Sequence, residues 1–427
     1  MKNNGLSTDS YKGVRDFYPR DYAIQNHIFK VWKKTAESFG YEQYDASILE
    51  PAELYKAKSG EEIVNEQTYT FTDRGDREVT LRPEMTPTLA RMIAGKQREL
   101  VFPLRWFSIP NLFRYEQPQK GRLREHFQLN VDVFGIAGIE AEIEILSLAR
   151  SIMKNFGAKD EDFSIAINNR KIINKIYSLF SLNEDQSYKV SKLIDKKNKI
   201  SKAIFEDSIR EVIGESTDEF LKVISSTEAV MEKFGKDDPE IKVIIDCIET
   251  LEKIGIKNVI FDPLLMRGFD YYTGIVFEVF DTNPENKRSM FGGGRYDDLL
   301  SIFGKEKIPA FGFGMGDVVL KDFLIDKNLL PDLRSATDVA ICRVDETPIE
   351  EIMKIAEELR IENINVVVSQ PTKKVGDQIK KAEKAGVPFI ICVGQNEISS
   401  GTFELKRLSD GSTKKVRISE MRSVIFG

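Results

Sequence analysis

The sequence predicts an α+β protein in which antiparallel sheet, a helical module and a separate α/β unit follow one another. Three stretches carry this reading. Residues 113–135, FRYEQPQKGRLREHFQLNVDVFG, hold two runs around a loop with Lys120, Gly121, Arg122 and Arg124. They describe an antiparallel hairpin with a basic tip. From about residue 171 to 256 the chain is lysine-rich, nearly proline-free and helically periodic, with no strand-like alternation. Beyond residue 337, strands near Val339, Val366 and Phe389 alternate with helices at Ile349–Arg360 and Val375–Gly386. Two further strands there, TFELKRL and TKKVRIS, are joined at Ser409–Ser412 by a hairpin signal.

The remaining elements follow from local pattern. Apolar residues at helical spacing from Tyr22 to Phe39 predict one amphipathic helix, with Gly40 as the residue after its end. YEQYDASILEP predicts a short strand. Residues 66–81 alternate around Arg74, Gly75 and Asp76 as a hairpin and lead into RPEMTPTLARMIAG. There Thr86 is the expected N-cap, Pro87 the first helical residue and Gly95 the end. Glu84 at this junction either favours a helix N-terminus electrostatically or serves a ligand. A helix over Ile139–Phe156 and a strand over FSIAIN complete the first part. In the central hairpin Phe127, Leu129, Val131 and Val133 share one face, and Gln128, Asn130 and Asp132 the other. Arg114 and Glu116 share a face of the first run. If the runs pair, a floor of Arg, Glu, Gln and Asp results, suited to a ligand with a cationic end and phosphates, or simply a solvated edge.

At 427 residues the chain has room for two to four domains of roughly 100 to 200 residues each. With 41% hydrophobic and 30% charged residues the composition is that of a globular protein, and a net charge of −6 argues against a general polyanion coat. Cys247, Cys342 and Cys392 lie far apart, so neither a zinc site nor a disulfide framework is expected, and a reduced cytoplasmic setting fits. His27 and His126 are the two histidines, which disfavours histidine metal sites, and His126 is expected to be structural. No stretch resembles a signal peptide or reaches the about 18 apolar residues of a membrane span.

The string FRYEQPQKGRLREHFQ resembles the second signature motif of class II aminoacyl-tRNA synthetases, in the form typical of the histidyl-tRNA synthetase family. RGFDYYTG at 267–274 resembles an element distinctive of the same family, as do LRPEMT around Glu84 and FGGGRYDD around Tyr296. IPAFGFGMGDVVL resembles the third motif, but the arginine that typically grips the terminal phosphate of ATP aligns with Val319. The first motif departs as well, with Ser47 where a proline is usual. The resemblance implies an antiparallel catalytic sheet of six or seven strands with helices, divided as 1–170 and 259–326. It implies a helical insertion at 171–258, a linker at 327–336 and an anticodon-binding-like α/β domain at 337–427. It further implies ATP-dependent activation of L-histidine and transfer to histidine tRNA, by a likeness that includes magnesium with ATP, a homodimer and no membrane partner.

Carried over residue by residue, the resemblance makes Arg114 and Arg267 catalytic and gives Arg114, Glu116 and Arg122 to ATP. Glu84, Thr86, Gln128, Asp132, Arg267, Tyr272 and Tyr296 form the histidine pocket, with Tyr271 as packing. Arginine suits phosphate charge, and paired tyrosines suit a flat ring that needs hydrogen bonds. Lys192, Lys196, Lys197, Lys199 and Lys202 either face tRNA or decorate a solvated helix. The same two readings hold for Lys406, Arg407, Lys414, Lys415 and Arg417. The rival from another class is a non-catalytic, synthetase-like histidine-binding regulator, which Val319 would suit.

Overall fold

The computed structural model describes residues 6–56, 67–119, 121–197, 200–266, 271–286, 288–331, 335–344, 346–369 and 374–427, apart from the side chains of Asp195 and Lys196. The chain forms two compact units, Met1–Leu330 and Pro331–Gly427.

In the first unit helix α1 (Pro19–Ser38) starts on a proline, whose missing N–H is no loss in a first turn, and ends before Gly40 at φ +80°. Ile28, Trp32 and Ala36 form its fully buried stripe. The stretch expected as one strand divides into β1 (Glu42–Gln43) and β2 (Leu49–Pro51). Between them the Arg82 guanidinium binds the Ala46 carbonyl at 2.7 Å and turns the chain from one sheet to another. After α2 (Ala52–Lys56), the hairpin β3 (Tyr69–Thr72) and β4 (Glu78–Leu81) joins β2 in a three-stranded sheet of order β2-β4-β3.

Helix α3 (Thr86–Lys96) differs from the expected capping. Met85 occupies the N-cap position with no side-chain cap, Thr86 is already helical, and Gly95 lies inside the last turn. Met85 has αR dihedrals of −102° and −25°, so the helical path is set one residue earlier and Thr86 belongs to the first turn.

Among the described residues the large sheet has nine strands. Besides β1 they are β5 (Leu104–Ser108), β6 (Asn111–Phe113), β7 (Glu125–Phe134), β8 (Phe163–Asn169), β9 (Val259–Phe261), β10 (Ile275–Asp281), β11 (Ser289–Arg295) and β12 (Ala310–Gly316). The order is β1-β5-β7-β12-β11-β10-β8-β9, with β6 on β7. From β5 to β8 every pairing is antiparallel, a core of six strands where six or seven were expected. The short edges β1 and β9 pair parallel, an addition that runs of two and three residues cannot announce through alternation.

Leu129, Val131 and Val133 of β7, Ile165 and Ile167 of β8, Phe277 of β10 and Phe311 of β12 bury one face of the sheet. They pack among α1, α4 (Glu140–Asn155) and neighbouring helices. Within this core Arg295 donates to both carboxylate oxygens of Glu142 at 2.5 and 2.6 Å. It also binds the Ile136 and Gly138 carbonyls.

The stretch expected to be helical contains helices and no strand among its described residues, as α5 (Arg170–Leu179), α6 (Glu184–Lys196), α7 (Lys202–Ile213), α8 (Thr217–Val223), α9 (Thr227–Phe234) and α10 (Pro239–Lys253). Asn169, Asn183, Ser201, Ser226 and Asp238 each accept an N–H at a helix start, which explains how a polar, lysine-rich chain breaks into short helices. Helix α11 (Asp317–Asp326) follows β12 directly.

The second unit is a five-stranded sheet of order β14-β13-β15-β16-β17. Strands β13 (Val339–Arg343), β14 (Val366–Val368) and β15 (Phe389–Val393) run parallel, joined through α12 (Ile349–Ile361) and α13 (Val375–Lys384). Antiparallel β16 (Phe403–Arg407) and β17 (Thr413–Val416) form the expected hairpin, with Gly411 at φ +72° in its turn. Helices α14 (Gln395–Ser400) and α15 (Ile418–Phe426) complete it.

Candidate active site

The polar face of β7 opens into a cavity of about 110 Å³ lined by Glu84, Thr86, Arg114, Gln128, Asn130, Asp132, Tyr271, Tyr272, Tyr296 and the β11–β12 strands. Glycines make the room. Gly312 lies opposite Asp132, and Gly314 opposite Asn130. A Cβ at Gly312 would overlap the Asp132 carboxylate, and one at Gly314 would come within 2.8 Å of the Gln128 amide. On β11, a Cβ at Gly294 would meet the Tyr272 ring at 2.8 Å. The absence of side chains on these strands is therefore what lets polar groups of β7 face a hole.

Asp132 is the electrostatic centre. Its carboxylate accepts a short hydrogen bond from the Tyr296 hydroxyl. Burial raises its pKa to about 7, and the Tyr296 bond pulls the other way. The Tyr296 phenol is driven well above its usual pKa by burial and by the adjacent Asp132. A carboxyl so poised accepts a hydrogen bond from a ligand N–H when ionised and is inexpensive to protonate when the pocket is empty. At the other wall the Tyr271 hydroxyl donates to Glu84 at 3.3 Å. The Tyr271 ring contacts Tyr272 at 4.8 Å and Tyr296 at 5.8 Å between centroids. Two carboxylates and three aromatic rings thus enclose a volume fit for a small cationic or N–H-bearing ring compound.

Arg114 lies at the cavity edge with its Nε donating to the Pro83 carbonyl at 2.9 Å. The first run keeps its register one residue past Phe113, where the Arg114 amide donates to the Arg124 carbonyl at 2.9 Å. The Arg124 amide turns to Gly13 O, and pairing ends there. The Tyr115 amide, on the outer edge, donates to Gln67 O at 2.7 Å. The expected paired floor therefore stops short of Glu116, and neither Glu116 nor Arg122 lines the cavity. They face each other at 3.3 Å, with Arg122 half exposed. Arg124 is structural: it stacks on Tyr115 at 4.0 Å, donates to the Glu116 carbonyl, and its amide donates to Gly13 O. His126 is partly buried, with its pKa lowered to about 3 by desolvation and by the Arg114 and Arg15 charges, which fits a structural neutral ring. Of the expected site residues Glu84, Thr86, Arg114, Gln128, Asp132, Tyr272 and Tyr296 share one cavity. Arg267 lies outside the described residues.

Several contributors escaped the sequence reading. Tyr271, expected as packing, lines the cavity and holds Glu84. Asn130 was visible on the polar face between Gln128 and Asp132 but was not assigned. Partly buried Tyr44 packs against Trp106 at 5.7 Å, and its phenol pKa is raised by desolvation and by Asp132. Near the N-terminus Arg15 donates at 2.7 Å to Asp317, which also accepts the Phe127 amide. This segment carries no periodicity, and the partner of Arg15 is 302 residues away.

Of the lysine cluster, Lys197 and Lys202 border an open depression of about 610 Å³ with Phe205, Ile260, Asp262 and Phe280, while Lys192 lies over Tyr188. Lys199 and the Lys196 side chain lie outside the described residues. Among the described residues no group of three His, Cys, Asp or Glu could hold a metal ion, and no helix is long and apolar enough to cross a membrane.

The chain resembles known proteins over nearly its whole length. Residues 13–317 match the family model for histidyl-tRNA synthetase, and residues 338–426 that for an anticodon binding domain. A histidine-tRNA ligase of Leptospira biflexa is 46% identical over 415 residues, 96% of this chain and 95% of its own. One from Thermoplasma volcanium is 35% identical over 423 residues, 97% and 98% of the two chains. The crystal structure of histidyl-tRNA synthetase from Nostoc sp. PCC 7120 has the same fold, with a TM-score of 0.84 and 99% coverage of each chain at 22% identity. The chain belongs to the histidyl-tRNA synthetase family.

Proposed function

We infer that the protein activates L-histidine with ATP and transfers the histidyl group to histidine tRNA. The observation that carries the reading is the enclosure of Glu84, Asp132, Tyr271, Tyr272 and Tyr296 around one cavity beside Arg114. In the first step a carboxylate oxygen of histidine attacks the α-phosphorus of ATP, the bond to the bridging oxygen breaks, and pyrophosphate leaves. In the second a hydroxyl at the tRNA 3′ end attacks the acyl carbon and releases AMP. The protein's part is positioning and charge neutralisation.

Glu84 binds the substrate ammonium, held in place by Tyr271. Asp132 takes an imidazole N–H, with Gln128, Tyr272 and Tyr296 completing the pocket and Thr86 at its edge. Arg114 holds the α-phosphate and Arg267 stabilises its developing charge. Glu116 receives the adenine, and Arg122 turns from Glu116 to the phosphates. Magnesium, when bound, neutralises phosphate charge. The donor set suits an ion carried on the ATP phosphates, since no cage of three acidic or imidazole ligands exists among the described residues. The chain works as a cytoplasmic homodimer in this reading. With an anticodon-binding domain and ligase relatives over nearly its whole length, the purely regulatory reading is not favoured.

The test is exchange of labelled pyrophosphate into ATP with each amino acid in turn. Exchange with histidine alone is expected. A folded protein that binds histidine without exchange would overturn the reading.

A further inference from the structure

The third-motif position that usually carries the phosphate-gripping arginine is Val319 here, yet a guanidinium stands next to it. In the ladder between β11 and β12, Phe291 faces Met315 and Gly292 faces Gly314. Arg288 immediately precedes β11, and Val319 lies in the first turn of α11, directly after β12. A Cβ built on Gly121, in the basic loop, would lie 3.2 Å from Val319 Cγ2 and 3.7 Å from Arg288 Nη1. Arg288 also donates through Nη2 to Gln119 Oε1 of that loop at 3.2 Å. Arg288 therefore projects from the end of one strand into the space that a side chain at 319 would enter from the adjacent helix.

We propose that Arg288 supplies the contact to the terminal phosphate of ATP that the third-motif arginine supplies elsewhere. The chemistry is the same from either origin, because what the phosphate requires is a permanently charged, forked donor at that point. Arg288 is exposed before ligand binds and rests on Gln119. An ATP phosphate offers the guanidinium a charged acceptor, which binds it more strongly than the neutral Gln119 amide does. Val319 is then the complement of Arg288: a short apolar side chain leaves the guanidinium its room, and Gly121, at φ +78°, keeps the loop close.

The proposal rests on the ATP-dependent reading above, and its test separates the two. Wild type and Arg288→Ala are titrated with ATP and with AMP by calorimetry, and histidine-dependent pyrophosphate exchange is measured on both. Removing one charged hydrogen-bonding group is expected to weaken ATP binding by about 10- to 100-fold. AMP, which lacks the terminal phosphate, is expected to bind both proteins alike. In the Arg288→Ala background, Val319→Arg is expected to recover most of the lost ATP affinity. Unchanged ATP binding by Arg288→Ala overturns the proposal. Equal weakening of ATP and AMP overturns it in favour of loop ordering, and failure of Val319→Arg to recover affinity overturns the exchange of positions. Absence of exchange in the wild type would instead sink the ATP-dependent reading itself.

Discussion

Replacing Asp132 by Asn tests the centre of the pocket without breaking it, since the amide keeps an oxygen for the Tyr296 hydroxyl. Burial holds the Asp132 carboxyl at a pKa of about 7. Against an ordinary value of about 3.9, that displacement is about 4 kcal/mol at 1.36 kcal/mol per pH unit. In the empty protein the carboxyl is thus half protonated at pH 7. A histidine imidazole, itself mostly neutral there, donates an N–H and favours the ionised carboxylate. Binding should therefore release about half a proton at pH 7 and approach zero release by about pH 8.5. Calorimetric titration of histidine in two buffers of different ionisation enthalpy counts those protons. Asp132→Asn should abolish the release and weaken histidine binding by about 10- to 100-fold, the loss of one charged hydrogen bond. The same shift bears on stability. Because the folded-state pKa is raised, the folded protein holds a proton between about pH 4 and 7 that the unfolded chain has lost. Its stability consequently falls as pH rises through that window and levels off above it, and Asp132→Asn should flatten this dependence. No proton release by the wild type at pH 7, or equal release by the Asn variant, would refute the reasoning.

Gly312→Ala should abolish histidine-dependent exchange and lower stability by about 1 to 3 kcal/mol, because the new methyl overlaps Asp132 and comes 2.7 Å from the Val131 carbonyl. Gly316→Ala, four residues on with nothing within 4 Å, should leave both near wild type in the same exchange and urea-denaturation assays. Arg295→Met should cost about 3 to 5 kcal/mol in urea denaturation, since it strands Glu142, only 3% exposed, without its partner.

The face of β7 that carries Gln128 and Asp132 was legible because strict alternation holds from Phe127 to Val133, and the helical module because its periodicity never gives way to period two. The glycines of β11 and β12 advertised close approach but not what approaches, since Gly312 faces Asp132 only through a pairing of distant strands. Helix α3 misled because a threonine before a proline carries a cap signal that the backbone at Met85 overrides. Arg114 and Glu116 looked like strand neighbours. Gly13, far upstream, takes the amide of Arg124, so pairing ends at Arg114 and Glu116 lies beyond the ladder. Tyr44 and Arg15 gave no sign, for their importance lies wholly in partners the local sequence does not contain.

The order of the large sheet also sets a timetable for synthesis. Phe134, at the end of β7, pairs with Ala310, so roughly 180 residues must be added before that edge is covered. At roughly 5 to 20 residues per second this is on the order of 10 to 40 seconds. For that interval a nascent chain presents an uncovered β7 edge, a template for pairing with other chains. The helices α5 to α10 are made within the same interval and fold from local contacts, long before the ribosome delivers the strand that completes the pocket. The half-made protein is thus most exposed to misassembly while its insertion is being built.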